Sequence, residues 1–242
     1  MTPQQRLADA FVALAGSASD EPPDVSTTLS VLVDHAPGLL GTRAAAALFS
    51  PDTREALQVA GSDPDVGRLA KDAAGWREGP GHDCHRGLAL PARIALGNLP
   101  VRQRWPHYVQ RALRLGYTYV TALPLRGPVK VDGALVLLSD RHDAPSPEML
   151  ALGQSMADFT AVTLWRTREA DRSRALTAQL ESALTSRIVI EQAKGVLSGR
   201  RSLTMDEAFD VLRNHARSHQ RRLSDVSREV VDGQRDQSDQ SG

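Results

Sequence analysis

The sequence from Ser186 to Arg222 reads SRIVIEQAKGVLSGRRSLTMDEAFDVLRNHARSHQRR, and its pattern predicts the fold of the C-terminal region. Its apolar residues recur every three or four positions, which places them on one face of each of two helices. These residues are Val189, Ala193 and Val196 in the first helix, then Ala208, Leu212 and Ala216 in the second. Helices of ten to fifteen residues are marginal alone in water, so we expect them to pack together.

The second helix has a capping signal at its start. Thr204 stands three residues before Glu207, so each side chain can bond to the backbone N–H of the other residue. A third helix is predicted near Leu223, with Ser224 as its N-cap and Gly233 just past its end. The pattern predicts an all-α three-helix bundle.

The polar faces of this region are basic. Residues 186–222 contain eight Lys or Arg and four Asp or Glu, a surplus of four positive charges in a chain whose net charge is zero. A basic face of this kind suits phosphate groups. On composition alone, the alternative that these charges only solvate the helices stays equally open.

The segments ALTSRIVIEQAKGVL (183–197), LTMDEAFDVLRNHAR (203–217) and RLSDVSREVV (222–231) follow in this order within residues 180–233. In this order they resemble an ANTAR domain, the RNA-binding output module of bacterial antitermination regulators. The likeness includes Ala193, Gly195 and Phe209, which this family uses to pack its helices. The resemblance implies a partner RNA with two adjacent stem-loops near a terminator, so that transcription continues.

We predict that RNA contacts the basic side chains of this domain, because an arginine fork donates to phosphate or base edges and stacks on unpaired bases. The predicted central contacts are Arg187, Lys194, Arg213 and Arg217, with Gln192 as a hydrogen-bond partner. The predicted peripheral phosphate contacts are Arg200, Arg201, Arg221 and Arg222. Phe209 is the only aromatic residue after Trp165, so aromatic stacking should be minor.

The preceding region predicts an α+β fold. The chain has 242 residues, 41% of them hydrophobic, which is enough for real cores. Helices are predicted at 4–15, 25–35, 64–73 and 101–115, strands at 43–49, 56–60, 117–125 and 134–138, a turn at 50–53 and a loop at 75–87. This order predicts an antiparallel sheet flanked by helices.

Five short motifs occur in this region in a characteristic order: Glu78-Gly79-Pro80, Asp83-Cys84, Arg104-Trp105-Pro106, ALPLR at 122–126 and Gly133-Ala134-Leu135. Through them, residues 24–165 resemble a GAF sensor domain of the kind that precedes ANTAR in actinobacterial regulators. The resemblance implies an unidentified small ligand. Gly81 departs from the pattern, because such domains often carry a second cysteine directly after Gly-Pro. Without that cysteine, Cys84 has no partner with which to form a redox pair.

A cluster of reactive residues, His82, Asp83, Cys84 and His85, lies in the predicted loop. Cysteine beside histidine can ligate a metal or act as a thiolate nucleophile. Adjacent residues rarely point at one ion, however, and no second spaced set completes a tetrahedral site. We therefore predict no metal and no cofactor, and expect His82, Cys84, His85 and Trp105 to border a ligand pocket. The sequence has no Gly-rich phosphate loop, GxSxG or HExxH, so we expect no enzyme.

A long helix is predicted from about Ser146 to Ser198, with residues 146–185 connecting the two domains. Apolar residues recur at both of its ends: Leu152, Met156 and Phe159, then Leu176, Leu180 and Leu184. These stripes predict a parallel coiled coil and a homodimer, although the charged residues 166–174 interrupt the seam. Residues 1–20 are predicted to hold an N-terminal helix, and residues 234–242 a disordered tail.

The chain lacks a run of eighteen apolar residues and a signal-peptide core, which predicts a cytoplasmic protein without membrane contact. The expectation is a regulator in which a GAF sensor domain controls an ANTAR domain that binds paired RNA stem-loops. Two alternatives stay open. The first is a small-molecule sensor or protein-interaction module with a degenerate RNA site, and the second is a protein that binds duplex DNA.

Overall fold

The computed structural model describes residues 2–16, 24–50, 56–141 and 145–239, in two compact units that divide after Glu169. The helices are α1 (Pro3–Leu14), α2 (Val25–Leu40), α3 (Pro64–Trp76), α4 (Pro80–His85), α5 (Leu99–Arg104), α6 (Pro106–Arg114), α7 (Pro147–Arg201), α8 (Met205–Ser218) and α9 (Leu223–Asp239). The strands are β1 (Ala44–Phe49), β2 (Gln58–Gly61), β3 (Ile94–Ala95), β4 (Tyr119–Arg126) and β5 (Val131–Ser139). Most of the predicted turn at 50–53 and residues 17–20 of the predicted N-terminal helix lie outside the described residues.

The N-terminal unit is built on an antiparallel sheet, in which the described strands have the order β2-β1-β5-β4-β3. One sheet face packs against α1, α2 and the start of α7, in a core that includes Leu32, Leu135 and Leu164. The other face packs against α3 and α6, in a core that includes Leu69 and Val109. The predicted α+β fold, an antiparallel sheet flanked by helices, is confirmed.

The ends of α2 show how local and tertiary effects combine. Asp24 accepts a hydrogen bond of 2.7 Å from the Thr27 amide and caps the start of the helix. The helix does not end at His35 as predicted but continues through Pro37 to Leu40. Because Leu40 is fully buried against the sheet, packing outweighs the hydrogen bond that the proline removes.

Two predictions for residues 75–115 are corrected. The predicted helix at 101–115 is two helices, α5 and α6, which break at Trp105 (φ −132°, ψ 65°). A proline disfavours the helical conformation of the residue that precedes it, and Pro106 directly follows Trp105. The predicted loop at 75–87 contains α4, which begins at Pro80, a residue preorganised for the first helical position.

The C-terminal unit confirms the predicted bundle of three helices. Ala193 of α7, Leu212 and Ala216 of α8, and Val226 of α9 form its buried centre. The predicted capping box is present, since the Thr204 amide donates to Glu207 Oε2 at 2.8 Å and the Glu207 amide donates to Thr204 Oγ1 at 3.3 Å.

The ends of α9 differ from the prediction. The helix already begins at Leu223, and it continues past Gly233 to Asp239. Gly233 is not among the residues with positive φ, so it does not form a left-handed cap, and a helical glycine costs only about 1 kcal/mol relative to alanine. Residues 234–239, predicted as part of a disordered tail, are the last residues of α9, and residues 240–242 lie outside the described part of the chain.

The predicted long helix is confirmed as α7. Every residue from 169 to 185 is exposed, including Leu176 (56%), Leu180 (63%) and Leu184 (61%). This stretch is therefore not covered by any of the described residues. No helix in the described ranges is sufficiently long and apolar to span a membrane.

Candidate nucleic-acid interface

Two exposed arginines on α8 have no ion-pair partner among the described residues. Arg213 and Arg217 are four residues apart and so lie on the same side of the helix. The buried face of α8, with Ala208, Leu212 and Ala216, points elsewhere. Both guanidinium groups are therefore available to an external anion.

A third arginine, on α7, lies on the same side of the C-terminal unit as the two arginines of α8. Lys194 Nζ lies 5.8 Å from the centre of the Phe209 ring, which joins one side of α7 to one side of α8. Arg187 precedes Lys194 by two turns on α7, and Arg213 follows Phe209 by one turn on α8. Arg187 is exposed, and the described chain offers it no ion pair. We call Arg187, Arg213 and Arg217 the arginine face.

Lys194 itself is largely covered. Its side chain is 14% exposed, and Nζ donates to both carboxylate oxygens of Glu191 at 2.9 Å. Its charge is thus partly balanced within the chain. Gln192 is exposed but lies two residues from Lys194, about 200° around the helix, so the structure does not bring it to the arginine face.

The predicted peripheral contacts separate into different groups. Arg221 is paired with Glu229 through two hydrogen bonds of 2.8 and 2.5 Å. This pairing lowers the pKa of Glu229, so the glutamate stays charged and balances Arg221. Arg200, Arg201 and Arg222 are exposed. Arg201 follows Arg187 by two heptads and so returns to the same side of α7, within about 40°.

The three residues predicted to pack the bundle have different roles. Ala193 is fully buried in the centre of the unit, as predicted. Phe209 is half-buried beside Lys194. Gly195 is exposed, and no atom lies within 4 Å of the position that a Cβ would take. Among the described residues, none packs closely against Gly195, so its predicted role in helix packing stays a prediction.

The N-terminal unit contains a cavity of about 60 Å³ between the sheet and helices α3 and α4. Small and apolar residues such as Ala46, Leu69 and Val136 form most of its wall. His82 and His85 line it, as predicted, whereas Cys84 and Trp105 are not among its lining residues. Cys84 packs with Leu48 and Ala134 instead, and the Trp105 indole donates to Asp83 at 2.9 Å.

Two histidines and a tyrosine of this cavity are neutral. Burial lowers the pKa of His82 and of His85, so both imidazoles are uncharged at neutral pH. Tyr108 and His85 line the cavity, and the buried Tyr108 hydroxyl and His85 Nδ1 have no hydrogen-bond partner among the described residues. Burial also raises the pKa of Tyr108, which keeps its proton available for donation. The mostly apolar wall suits a small apolar molecule.

Glu78 also lines this cavity, and the sequence analysis assigned it no role. Its carboxylate accepts from the amides of His107 (2.9 Å) and Tyr108 (3.1 Å), and it caps the start of α6. Burial raises the pKa of Glu78, but the bonds from His107 and Tyr108 outweigh it and lower the pKa overall. The signal for this role was weak, since Glu78 precedes its partners by some thirty residues.

Gly81 occupies the position at which the resembled domains often carry a second cysteine. A Cβ at this position would lie 2.5 Å from Leu48 Cδ2 and 3.0 Å from Val136 Cγ2. A cysteine here would require Leu48 to move. The described residues also contain no group of three His, Cys, Asp or Glu that could hold a metal ion.

We predict that Cys84 is unreactive in the folded protein. Burial raises its pKa to about 11, so the thiolate is scarce at pH 8 and forms only as the pH approaches 11 or as the chain unfolds. Mass spectrometry after iodoacetamide treatment should show little alkylation at pH 8 and complete alkylation in denaturant. Cys84→Ser should leave folding and RNA binding nearly unchanged. Rapid alkylation of the native protein at pH 8 would contradict this expectation.

Comparison with known proteins adds to this geometry. The ANTAR domain family model matches residues 178–231. The C-terminal unit is an ANTAR domain. The match begins inside α7, covers α8 and reaches Val231 in α9, so it contains the arginine face and every residue of the buried centre. The boundaries predicted for the ANTAR domain, 180 and 233, lie within two residues of this match.

The chain is also similar in structure to GAF domains. One is from an Acinetobacter phosphoenolpyruvate-protein phosphotransferase, with 13% identity and a TM-score of 0.49 over 71% of this chain and 99% of that chain. Another is from a phosphoenolpyruvate-protein phosphotransferase of Coxiella burnetii, with 15% identity and a TM-score of 0.47 over 69% and 98%. No curated protein matches the chain.

Proposed function

We propose that this chain is a non-catalytic regulator of transcription antitermination. In this proposal the ANTAR domain binds RNA with two adjacent stem-loops near a terminator, and the N-terminal unit senses a small ligand and controls that binding. The observation that carries the proposal is the arginine face, which lies on an ANTAR domain and has no acidic partner in the described chain.

The charge distribution favours nucleic acid as the partner of this face. Contacts between arginine and phosphate release condensed counterions from RNA, which drives binding. The chain has no net charge, so nonspecific attraction to nucleic acid should be weak, and affinity should depend on the local surplus of arginine. Arg221 and Lys194 each form an ion pair with a glutamate, which balances their positive charge. The arginine face is therefore the principal surface that can donate to phosphate.

Filter binding with a radiolabelled two-hairpin RNA tests this function. We expect the two-hairpin RNA to bind more tightly than a single hairpin, and duplex DNA of equal length to compete poorly. Equal competition by duplex DNA would identify a general nucleic-acid binder. Absence of binding to all three nucleic acids would contradict the proposal and favour a protein-interaction module. Mass spectrometry of small molecules released from the denatured protein tests for a ligand of the N-terminal unit.

We further propose that the protein is a homodimer whose chains pair along α7. The exposed Leu176, Leu180 and Leu184 recur at four-residue intervals on a helical stretch that no described part of its own chain covers. A parallel coiled coil would bury these leucines. Two ANTAR domains in one dimer could then hold two stem-loops at once and gain from avidity.

Substitutions on opposite sides of α7 test this dimer. Leu180→Glu combined with Leu184→Glu should give a monomer in light scattering, because four carboxylates would meet in the seam. Ala178→Glu combined with Ser182→Glu adds the same charge about 160–200° away from Leu180 and should leave the dimer intact. A wild-type monomer, or equal effects of both pairs, would contradict dimerisation through this stripe.

A further inference from the structure

The cavity between the sheet and helices α3 and α4 is formed where small residues face one another. Ala46 and Ala47 of β1, Ala70 and Ala73 of α3, and Gly81 of α4 all line it. A side chain on Gly81 would take up space beside Leu48, which also lines the cavity. The volume of 60 Å³ is less than half of the 150 Å³ or so that holds benzene, so an apolar chain of about three carbon atoms fits.

Two histidines of α4 lie where this cavity meets the surface. His82 and His85 line the cavity and are only partly buried. Both imidazoles are neutral, so they do not themselves attract a charged group. The Tyr108 hydroxyl and His85 Nδ1 are covered by the protein and are not available to a ligand. The polarity of the site therefore depends on the side chains around its opening.

Three basic residues lie next to the lining residues. Arg77 ends α3 and directly precedes Glu78, which lines the cavity. Arg86 ends α4 and directly follows His85, and Lys130 lies in the turn between β4 and β5. All three side chains are exposed, and within the described ranges none of them has an ion-pair partner. Their charges are therefore available to a ligand from solvent.

The effect of these charges on the histidines shows that they lie near the cavity. Burial is the main cause of the lowered pKa of His82, and the positive charges of Arg86 and Arg77 lower this pKa further. Burial is also the main cause of the lowered pKa of His85, and Lys130 adds to it. A charge acts in this way only over a short distance. The opening of the cavity is therefore basic, whereas its interior is apolar.

The carboxylates near this opening are already bonded within the protein. Asp83 and Asp132 act against the lowering of the pKa of the two histidines. Asp83 pairs with Arg104 at 2.7 Å, and the fully buried Asp132 accepts from the Trp165 indole at 2.7 Å. The Glu78 carboxylate caps α6, as described above. A ligand at the opening therefore meets three unpaired cations and no unpaired exposed carboxylate among these groups.

We propose that this cavity binds a small amphiphilic anion, with an apolar chain of about three carbon atoms in the interior and a carboxylate or phosphate head beside Arg77, Arg86 and Lys130. The wall removes the chain from water, and the arginine guanidinium groups donate to the head. The positive opening also raises the local concentration of such an anion. This inference rests on the proposed sensor role of the N-terminal unit and names the class of its ligand.

Titration of the full-length protein at constant ionic strength tests this site. The probes are butyrate, butyl phosphate, 1-butanol and butylammonium, and the readout is the methyl resonances of Val136 and Leu138, which line the cavity. We expect saturable shifts with at least one anion, binding of 1-butanol that is about 10-fold weaker or less, and no binding of butylammonium. Acetate should bind about 10-fold more weakly than butyrate, because it buries two fewer CH₂ groups.

The two anions distinguish the head groups. Tighter binding of butyrate would identify a carboxylic acid as the ligand class. Tighter binding of butyl phosphate would identify a phosphate monoester.

Variants separate the role of charge from that of the apolar interior. Arg77→Met combined with Arg86→Met should weaken binding of the anions by about 10-fold or more and leave 1-butanol nearly unchanged. Ala70→Leu should weaken binding of the anions and of 1-butanol, because the larger side chain fills the cavity from the half-buried face of α3. Leucine is a good helix former, so α3 should persist in circular dichroism. Arg114→Met is the matched control, since Arg114 is exposed on α6 and does not line the cavity.

Four outcomes would overturn the proposal. These are an absence of saturable shifts with both anions, binding of butylammonium as tight as that of the anions, unchanged anion affinity in Ala70→Leu, and an equal loss of anion affinity in Arg114→Met. The titrations contain no RNA, so a failure of RNA binding would not alter them. An RNA affinity that saturating butyrate and butyl phosphate leave unchanged would contradict the sensor role, while the ligand class would remain supported.

Discussion

Replacing Arg213 and Arg217 together by alanine should lower the affinity for a two-hairpin RNA by about 10- to 100-fold near physiological salt. Both guanidinium groups are exposed and lack an acidic partner in the described chain, so neither must break an ion pair before it binds phosphate. Their loss should also flatten the log–log dependence of affinity on salt by about 1.5 to 2, because two fewer counterion-releasing contacts remain.

Filter binding at several salt concentrations measures both quantities. Arg228→Ala is the matched control within the ANTAR domain, since Arg228 is exposed on α9 and is not part of the arginine face. Arg221→Ala should have a smaller effect than either single arginine-face variant, because Glu229 already balances Arg221. A salt slope that is unchanged in the double variant would remove Arg213 and Arg217 from the RNA site.

Gly133→Ala should lower the free energy of unfolding of the N-terminal unit by about 3 kcal/mol or more. A Cβ on Gly133 would lie 2.1 Å from the Leu48 carbonyl oxygen and 3.1 Å from the Phe49 Cα. Both are backbone atoms of β1, which pairs with β5 at the centre of the sheet. No change of rotamer can relieve this overlap, so the strands must separate locally.

Thermal melting followed by circular dichroism should show the Tm falling by about 6–12 °C. Gly75→Ala is the control, because no atom lies within 4 Å of its Cβ position and Gly75 lies within α3. This control should be neutral or stabilise the protein by up to about 1 kcal/mol. Wild-type melting of Gly133→Ala would show that β1 and β5 are not packed as described.

Sequence signals correctly predicted structural features that depend only on neighbouring residues. The capping box of Thr204 and Glu207 was correct because both partners lie within one helical turn. The break at Trp105 could also have been predicted, since Pro106 directly follows it. The continuation of α2 through Pro37 could not, because burial of Leu40 against a sheet assembled from distant segments outweighs a local breaker.

Most helices and strands, the basic character of the ANTAR region and the residues able to donate to phosphate could be read from the sequence alone, although α4 and the short strand β3 were missed. Periodicity, capping and charge are properties of neighbouring residues, so they can be read without knowledge of the fold. Which of these donors remain available for phosphate depends on the folded structure. Arg221 is balanced by Glu229 and Lys194 is covered beside Phe209, whereas Arg213 and Arg217 face solvent. Ion pairing and burial depend on distances between separate elements, and those distances exist only once the chain has folded.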